Sequence, residues 1–381
     1  MFSVTSLGFL PFMALFVCLW YRVPQPSRWK LVLAANAVFC LSIDIGAFFA
    51  VALATAVVWQ AAQHAQPEQP GGRRGWLAVG LAAALLPLLV LKYSGMLAPG
   101  LRDLYKPFGL AYYSLQLAGY LLDVWHGRTA PTPSYARLWC YAGFFLSLTQ
   151  GPFNRYNTLM PQLEAAPKTF EIQRLVSGLQ RSAWGYFKKF AIADRAAIVV
   201  SAAFADPASF DRSQLIFATV MYSFQLYADF SGYTDIVLGM GEILGLHLPE
   251  NFRQPFLAAS VKELWARWHI SLSQWFRDYV YIPLGGNRKG IARRDANLLL
   301  TFLVSGLWHG ANWTFLVWGG LHGLCQVAED HMPAPLRKRK SLPLRIVGVP
   351  LTFAIFVTTF TIFRASSLGN AAAYFAGILH N

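Results

Sequence analysis

The sequence predicts an all-α bundle of helices that cross a membrane, on three observations. Hydrophobic residues make up 55% of the 381 positions and charged ones only 13%, about half the charged share of a soluble domain. The apolar residues gather into runs of roughly 15 to 30, and a helix needs about 20 to cross the hydrocarbon core. The runs lack strict alternation, and backbone groups in lipid must be satisfied within their own segment, which favours helices over a barrel. About 9 to 11 membrane segments are expected, short or re-entrant ones included, in a single membrane-embedded domain over 1–381, with N-terminal spans over 1–90 and a core over 91–381.

The first run, Val4 to Trp20, has no basic residue before it and no small-residue cleavage signature after it, so it reads as the first span and not as a removable signal peptide. Arg22, Arg28 and Lys30 follow it, and Arg73 and Arg74 sit in PEQPGGRRG. The positive-inside rule puts both clusters in the cytoplasm. Leu31 to Gln63, interrupted by Asp44 and Gly46, then forms two short helices that turn on the far side, with the N-terminus outside.

Further apolar runs are expected near Trp76 to Leu91, Phe108 to Val124, Tyr135 to Leu148, Trp184 to Phe204 and Leu215 to Leu246, the last long enough for two elements. Arg155 to Arg181 mixes prolines and charges with spaced apolar residues, which reads as a surface loop and an interfacial helix or as a plain linker. Between Lys262 and Arg294 seven basic residues interleave with Trp265, Trp268, Trp275, Phe276, Tyr279 and Tyr281, the composition of a membrane interface.

After Asp295 come 33 residues without Asp, Glu, Lys or Arg. As one helix they would measure about 50 Å, too long for a single crossing of roughly 30 Å. A break is expected at Gly310 in WHGANW, with glycine in the left-handed cap conformation. A span over Ile346 to Phe363 follows, and Ala371 to Leu379 begins another.

The net charge of +14 lies in loops and forms no continuous basic face, which argues against nucleic acid. Cys18, Cys40, Cys140 and Cys325 have apolar neighbours and no CxxC spacing, so they read as small buried hydrophobes, with neither a disulfide framework nor a zinc site. No GxSxG, Walker, HExxH or Rossmann pattern is present. The stretch GGNRKG, Gly285 to Gly290, reads as a polar turn.

His309 stands at the centre of the uncharged run Asn297 to Leu321. An ionisable side chain at that depth is costly and usually faces a cavity with a functional role, although a neutral histidine bonded to a carbonyl in the bundle fits the position equally well. If Gly310 ends the helix, His309 occupies its last turn, where carbonyls favour an imidazolium. That environment suits a general base. Asn312 and Trp313, just past the break, are candidates for donors toward a developing oxyanion or for fixing the ring. His269, in RWHISLSQWF, reads by itself as a snorkelling interface residue, and His322 and His126 as interfacial. Asp229 and Asp235 could line a polar tunnel, cap a helix beginning near Gly232, or pair structurally with Arg155 or Arg253, the last role being favoured.

RWHISLSQWFRDYVYIPLGGNRKG, Arg267 to Gly290, followed by SGLWHGANWTFLVWGGLHG, Ser305 to Gly323, closely resembles the membrane-bound O-acyltransferase superfamily, and most of all its bacterial alginate O-acetylation branch. KPFGLAYYSLQLAGYLLDVWHG, QGPFNRYNTLMPQL, DFSGYTDIVLGMG, PENFRQPF and FRASSLGNAAAYFAGIL extend the likeness in order from about Leu91 onward. The resemblance implies a helical bundle around a central tunnel in the bacterial inner membrane. The histidine of the WHG motif, here His309, would be catalytic, and His269 would support activity. Trp308, Asn312 and Trp313 of the same motif, with Asp229 and Asp235, are supporting or tunnel candidates.

The expected reaction moves acetyl from a cytoplasmic thioester such as acetyl-CoA to hydroxyls of an exported polysaccharide, directly or through a periplasmic acetyltransferase partner. No bound cofactor and no metal are expected. D-alanyl transfer to teichoic acid, or acetylation of peptidoglycan or cellulose, are alternatives on the same fold. A proton-coupled transporter relaying through His309, Asp229 and Asp235 is the alternative of another class. Relatives of the alginate type usually continue through further helices beyond FRASS, whereas this sequence stops at Asn381, so a shortened C-terminus is also expected.

Overall fold

A computed structural model describes residues 3–66, 73–97, 105–167, 169–334, 336 and 341–380. Pro67 to Gly72 of PEQPGGRRG lie outside them. The described residues are helical with no β-strand, as expected, and one isolated antiparallel bridge joins Phe252 to Trp268. Among the described residues three helices, Ile45–His64, Arg73–Met96 and Leu342–Arg364, are by length and composition sufficient to cross a membrane. Large apolar side chains such as Phe49, Leu53, Leu89, Ile346 and Val347 point outward. Water would penalise that arrangement and lipid would not.

The chain forms two compact units, residues 1–186 with 233–249, and 187–232 with 250–381. In the first, α1 (Phe9–Arg22), α2 (Arg28–Ile43) and α3 (Ile45–His64) follow in sequence. The break between α2 and α3 falls at Asp44 as expected, because its carboxylate accepts from Gly46 N at 2.9 Å and caps the new helix. Side-chain capping of this kind satisfies a donor that the helix itself cannot. The helices α4 (Arg73–Leu97) and α5 (Leu110–Trp125) follow.

Tyr135 to Leu148 is not a span. Helix α6 covers only Tyr135–Ala142, eight residues, and the buried backbone beyond it is irregular. Such backbone survives away from water only when protein groups satisfy it. Here Asn36 does so, its Nδ2 donating to Cys140 O and its Oδ1 accepting from Phe145 N, both at 2.9 Å. Phe145 packs among Phe9, Phe12, Phe16 and Phe39.

Arg155 to Arg181 contains most of two helices, α7 (Tyr156–Ala165) and α8 (Ile172–Phe187). The latter buries Gly178, Ser182 and Gly185 and exposes Ile172, Val176, Leu179 and Trp184. A π-helical turn over Lys188–Ala193 leads into α9 (Asp194–Ala205).

The run Leu215 to Leu246 is one helix and not two: α10 (Arg212–Ile243) extends unbroken for 32 residues, and no helix begins at Gly232. Its glycines serve close packing instead of termination. A Cβ on Gly239 would stand 2.4 Å from Gly178 O and Ser182 Oγ.

In the second unit, short helices α11 (Val261–Arg267) and α12 (Ile270–Phe276) precede a π turn over Arg277–Tyr281, then the hairpin α13 (Ile291–His309) and α14 (Trp313–His331). Helices α15 (Leu342–Arg364) and α16 (Leu368–His380) close the described chain near the expected positions. Trp265, Trp268, Trp318, Phe356, Phe360 and Tyr374 form the centre of this unit's core. The hairpin closes through small residues, because a Cβ on Gly306 would lie 2.3 Å from Phe315 O and one on Gly319 2.4 Å from Phe302 O. Backbone contact of this type is how membrane helices associate without a hydrophobic drive.

The expected break does come at Gly310, but its backbone is extended (φ −168°, ψ 157°) and not left-handed. Glycine is required there by space, since a Cβ would meet the Phe315 ring at 1.9 Å. Gly285 to Gly290 is a turn, with positive φ at Gly285, Gly286 and Gly290. Of the cysteines, Cys40 and Cys140 are buried, while Cys18 is exposed and Cys325 half-buried. The outward face of α1 explains Cys18, which lies among exposed Leu15 and Leu19.

Candidate active site

His309 is the last residue of α13, at the carbonyl end of that helix. Its ring is half-buried and lies edge-on to Trp308, Trp318 and Phe363 at centroid distances of 4.8, 5.1 and 5.3 Å. The partial negative charge of a helix C-terminus stabilises an imidazolium there.

His269 is 2% exposed and so is no snorkelling interface residue. Its ring meets Phe230 at 4.6 Å and Trp308 at 6.1 Å. Trp308 thus stands against both histidine rings. His269 has left-handed backbone (φ 45°, ψ 51°) between α11 and α12, a conformation costing an L residue about 1–2 kcal/mol. A strap from the PENFRQPF stretch runs alongside. Asn251 O accepts from Ile270 N at 3.1 Å, and Arg253 N donates to Arg267 O at 2.9 Å. Asn251 Oδ1 accepts from Ser271 N at 3.2 Å and from Ser271 Oγ at 2.6 Å.

Helix α11 enters the site under three caps. Ser260 Oγ accepts from Glu263 N, and Glu263 Oε2 accepts from Ala259 N, a variant of the capping box. Glu329 of α14 accepts from Val261 N at 2.7 Å and Lys262 N at 3.0 Å. Hydrogen bonds to a charged acceptor are worth about 1.5–3 kcal/mol each. Glu329→Ala is therefore expected to destabilise the protein by about 2–4 kcal/mol and Glu329→Gln by less, as measured by thermal unfolding in detergent.

His322 is not interfacial: it is fully buried. The Trp265 indole, which can only donate, places its N–H on His322 Nδ1 at 3.2 Å. That fixes the proton on Nε2, which donates to Thr359 Oγ1 at 3.0 Å, and the Thr359 hydroxyl donates onward to Ile355 O at 2.8 Å. Trp318 lies edge-on between the His322 and His309 rings, 5.1 Å from each. Apolar flanks in sequence look alike at an interface and in a core, which hid this residue. Trp318, Phe363 and Asn251 were also missed as neighbours of the histidines, because each lies on a different element. The PENFRQPF stretch and the WGGLHG tail of the second motif were the available signals.

Asn312 is committed to structure. Its Oδ1 caps α14 by accepting from Thr314 N at 3.3 Å, and its Nδ2 donates to Ser366 O at 2.7 Å. It holds the tip of the hairpin, and Trp313 beside it is 59% exposed. Asp229 pairs with Lys189 at 2.6 Å and Asp235 with Arg181 at 3.1 Å. Structural pairing, the favoured role, thus has Arg181 and Lys189 as partners.

At the other end of the hairpin, His331 Nε2 meets Asp295 Oδ2 at 2.7 Å, Arg294 meets Asp295 at 2.8 Å and Asp330 at 3.7 Å, and Lys262 pairs with Asp330. A cavity of about 250 Å³ opens beside this cluster, lined by Lys262, Arg277, Ser273, Thr301, Ser305, Gln326 and the Trp265 ring among others. No group of three or more His, Cys, Asp or Glu residues able to hold a metal occurs among the described residues.

Residues 98–368 match the model of the membrane-bound O-acyltransferase family. A protein of Azotobacter vinelandii named probable alginate O-acetylase is 34% identical over 386 residues, covering 96% of this chain and 76% of that protein. The peptidoglycan O-acetyltransferase of Helicobacter pylori is 31% identical over 81% of this chain and 65% of its own length. The teichoic acid D-alanyltransferase of Bacillus subtilis is 28% identical, over 74% of this chain and 75% of its own.

Proposed function

Because the chain belongs to the membrane-bound O-acyltransferase family, we propose that it moves an acetyl group from a cytoplasmic thioester such as acetyl-CoA to hydroxyls of an exported, alginate-like polysaccharide in the bacterial inner membrane. The transfer reaches the glycan directly or through a periplasmic acetyltransferase partner. The helices would enclose a tunnel joining the donor and acceptor sides. Membership of an acyltransferase family sets the transporter reading aside.

The observation that carries the reading is the placement of His309 at a helix C-terminus, half-buried among aromatic rings, with Trp308 standing against both its ring and that of His269. His309 takes the proton of the acceptor hydroxyl as the oxygen attacks the thioester carbonyl carbon. The C–O bond forms, the C–S bond breaks, and the imidazolium returns the proton to the departing thiolate. The products are an ester and a free thiol. Helix carbonyls favour the imidazolium as it develops. Trp308, in contact with both histidine rings, supports their mutual orientation. The cavity with Lys262 and Arg277 at its lining suits an anionic thioester, since basic groups hold donor phosphates.

Membranes containing the protein are expected to incorporate label from radiolabelled acetyl-CoA into the exported polysaccharide. Label carried instead as D-alanine on teichoic acid, or as acetyl on peptidoglycan alone, would overturn the alginate-like assignment in favour of the activities named for the relatives above.

A further inference from the structure

We infer that Asn251 is a positioning residue for His269: it takes over the N-terminal cap of α12, so that the histidine at the cap position is released from capping and turned toward Trp308. The inference rests on the reading of His269 as part of the acyl-transfer site.

A residue at a helix N-cap normally turns its own side chain back onto the first amides. His269 makes no such bond. The first two donors of α12 are satisfied from 19 and 20 positions upstream instead, Ile270 N by the Asn251 carbonyl and Ser271 N by the Asn251 side chain. The Ser271 hydroxyl donates to the same oxygen at 2.6 Å. The Phe252–Trp268 bridge and the Arg253–Arg267 bond continue the strap past the histidine on its other side. The left-handed turn at His269 is therefore held from outside its own helix.

The orientation of the Asn251 amide is fixed by chemistry, because a backbone N–H can bond only the oxygen. Its Nδ2 is then a buried donor that meets no acceptor. Asn251 is itself fully buried. Only the acceptor oxygen of the side chain is used there, and an aspartate keeps an oxygen at that position.

The test is a double-mutant cycle in membranes, scored as acetyl transfer from radiolabelled acetyl-CoA with protein level measured alongside. Asn251→Ala is expected to lower the rate by about 10- to 100-fold, mainly in kcat. In a His269→Ala background the same change is expected to do nothing further. Asn251→Asp, which keeps the acceptor, is expected to stay within about threefold of wild type, against the 10- to 100-fold loss from misplacement.

An additive loss in the double variant, or wild-type activity in Asn251→Ala, would overturn the inference. If the alanine variant fails to accumulate, the aspartate variant decides: activity lost by more than about tenfold at normal protein level would show that the amide donor, and not the cap, is what matters. Full activity in His269→Ala would instead sink the reading of the site on which the inference stands.

Discussion

Replacing His309 by alanine is expected to lower acetyl transfer by about 10²- to 10⁴-fold, the usual contribution of general acid–base catalysis, with no loss of protein from the membrane. The ring ends a helix and packs edge-on to Trp308, Trp318 and Phe363. Its removal leaves the capping bond from Gly310 N to Gly306 O intact. The measurement is label transferred per milligram of protein. Activity within about threefold of wild type, far short of the loss expected for a general base, would remove His309 from the chemistry. His309→Gln, which retains size and hydrogen bonding but cannot take the proton, is expected to match alanine.

A large loss of stability is expected at Gly319. A valine there drives its Cβ to 2.4 Å from the Phe302 carbonyl oxygen, and a backbone atom in a helix cannot step aside. Overpacking of this kind costs about 3 kcal/mol, enough to empty the membrane of protein. Gly320, one residue along, gives the control. Its Cβ would meet only Leu303 Cδ2 at 3.7 Å, an ordinary contact. Gly320→Ala is expected to be neutral or to gain up to about 1 kcal/mol from helix propensity. Thermal unfolding in detergent separates the two, and equal behaviour would refute the close crossing of α13 and α14.

The break at Asp44 and the break at Gly310 were both legible in the sequence for local reasons. One is marked by a capping side chain, and the other by an uncharged run too long for the bilayer. What the local signal could not supply was the conformation at Gly310, which is set by the Phe315 ring on the following helix. Helix α6 stops short because Asn36, on another helix, offers its backbone other partners. Helix α10 runs on through its glycines because Gly178, far off in sequence, needs the room.

The same distinction holds at the candidate site. His309 and His269 were found by their motifs, and the helix end beneath His309 by counting residues. The burial of His322 and the work of Asn251 depend on pairings across 37 and 20 positions, for which a single sequence carries no periodic signature. The carboxylates on α10 are paired, as expected, with cations on α8 and the π turn after it, positions to which no local pattern points.

Helices α13 and α14 have 19 residues each, so the charged feet Arg294, Asp295, Asp330 and His331 meet at one level while His309 sits at the far tip. The hairpin is thereby a gauge. The height of the imidazole above the charged layer is counted out in residues, about 1.5 Å at a time, and its bearing in steps of about 100°. A single inserted residue in α13 would swing His309 off Trp318 and Phe363 while leaving every side chain of the site chemically unchanged. Length, as much as residue identity, is therefore inherited information in this segment.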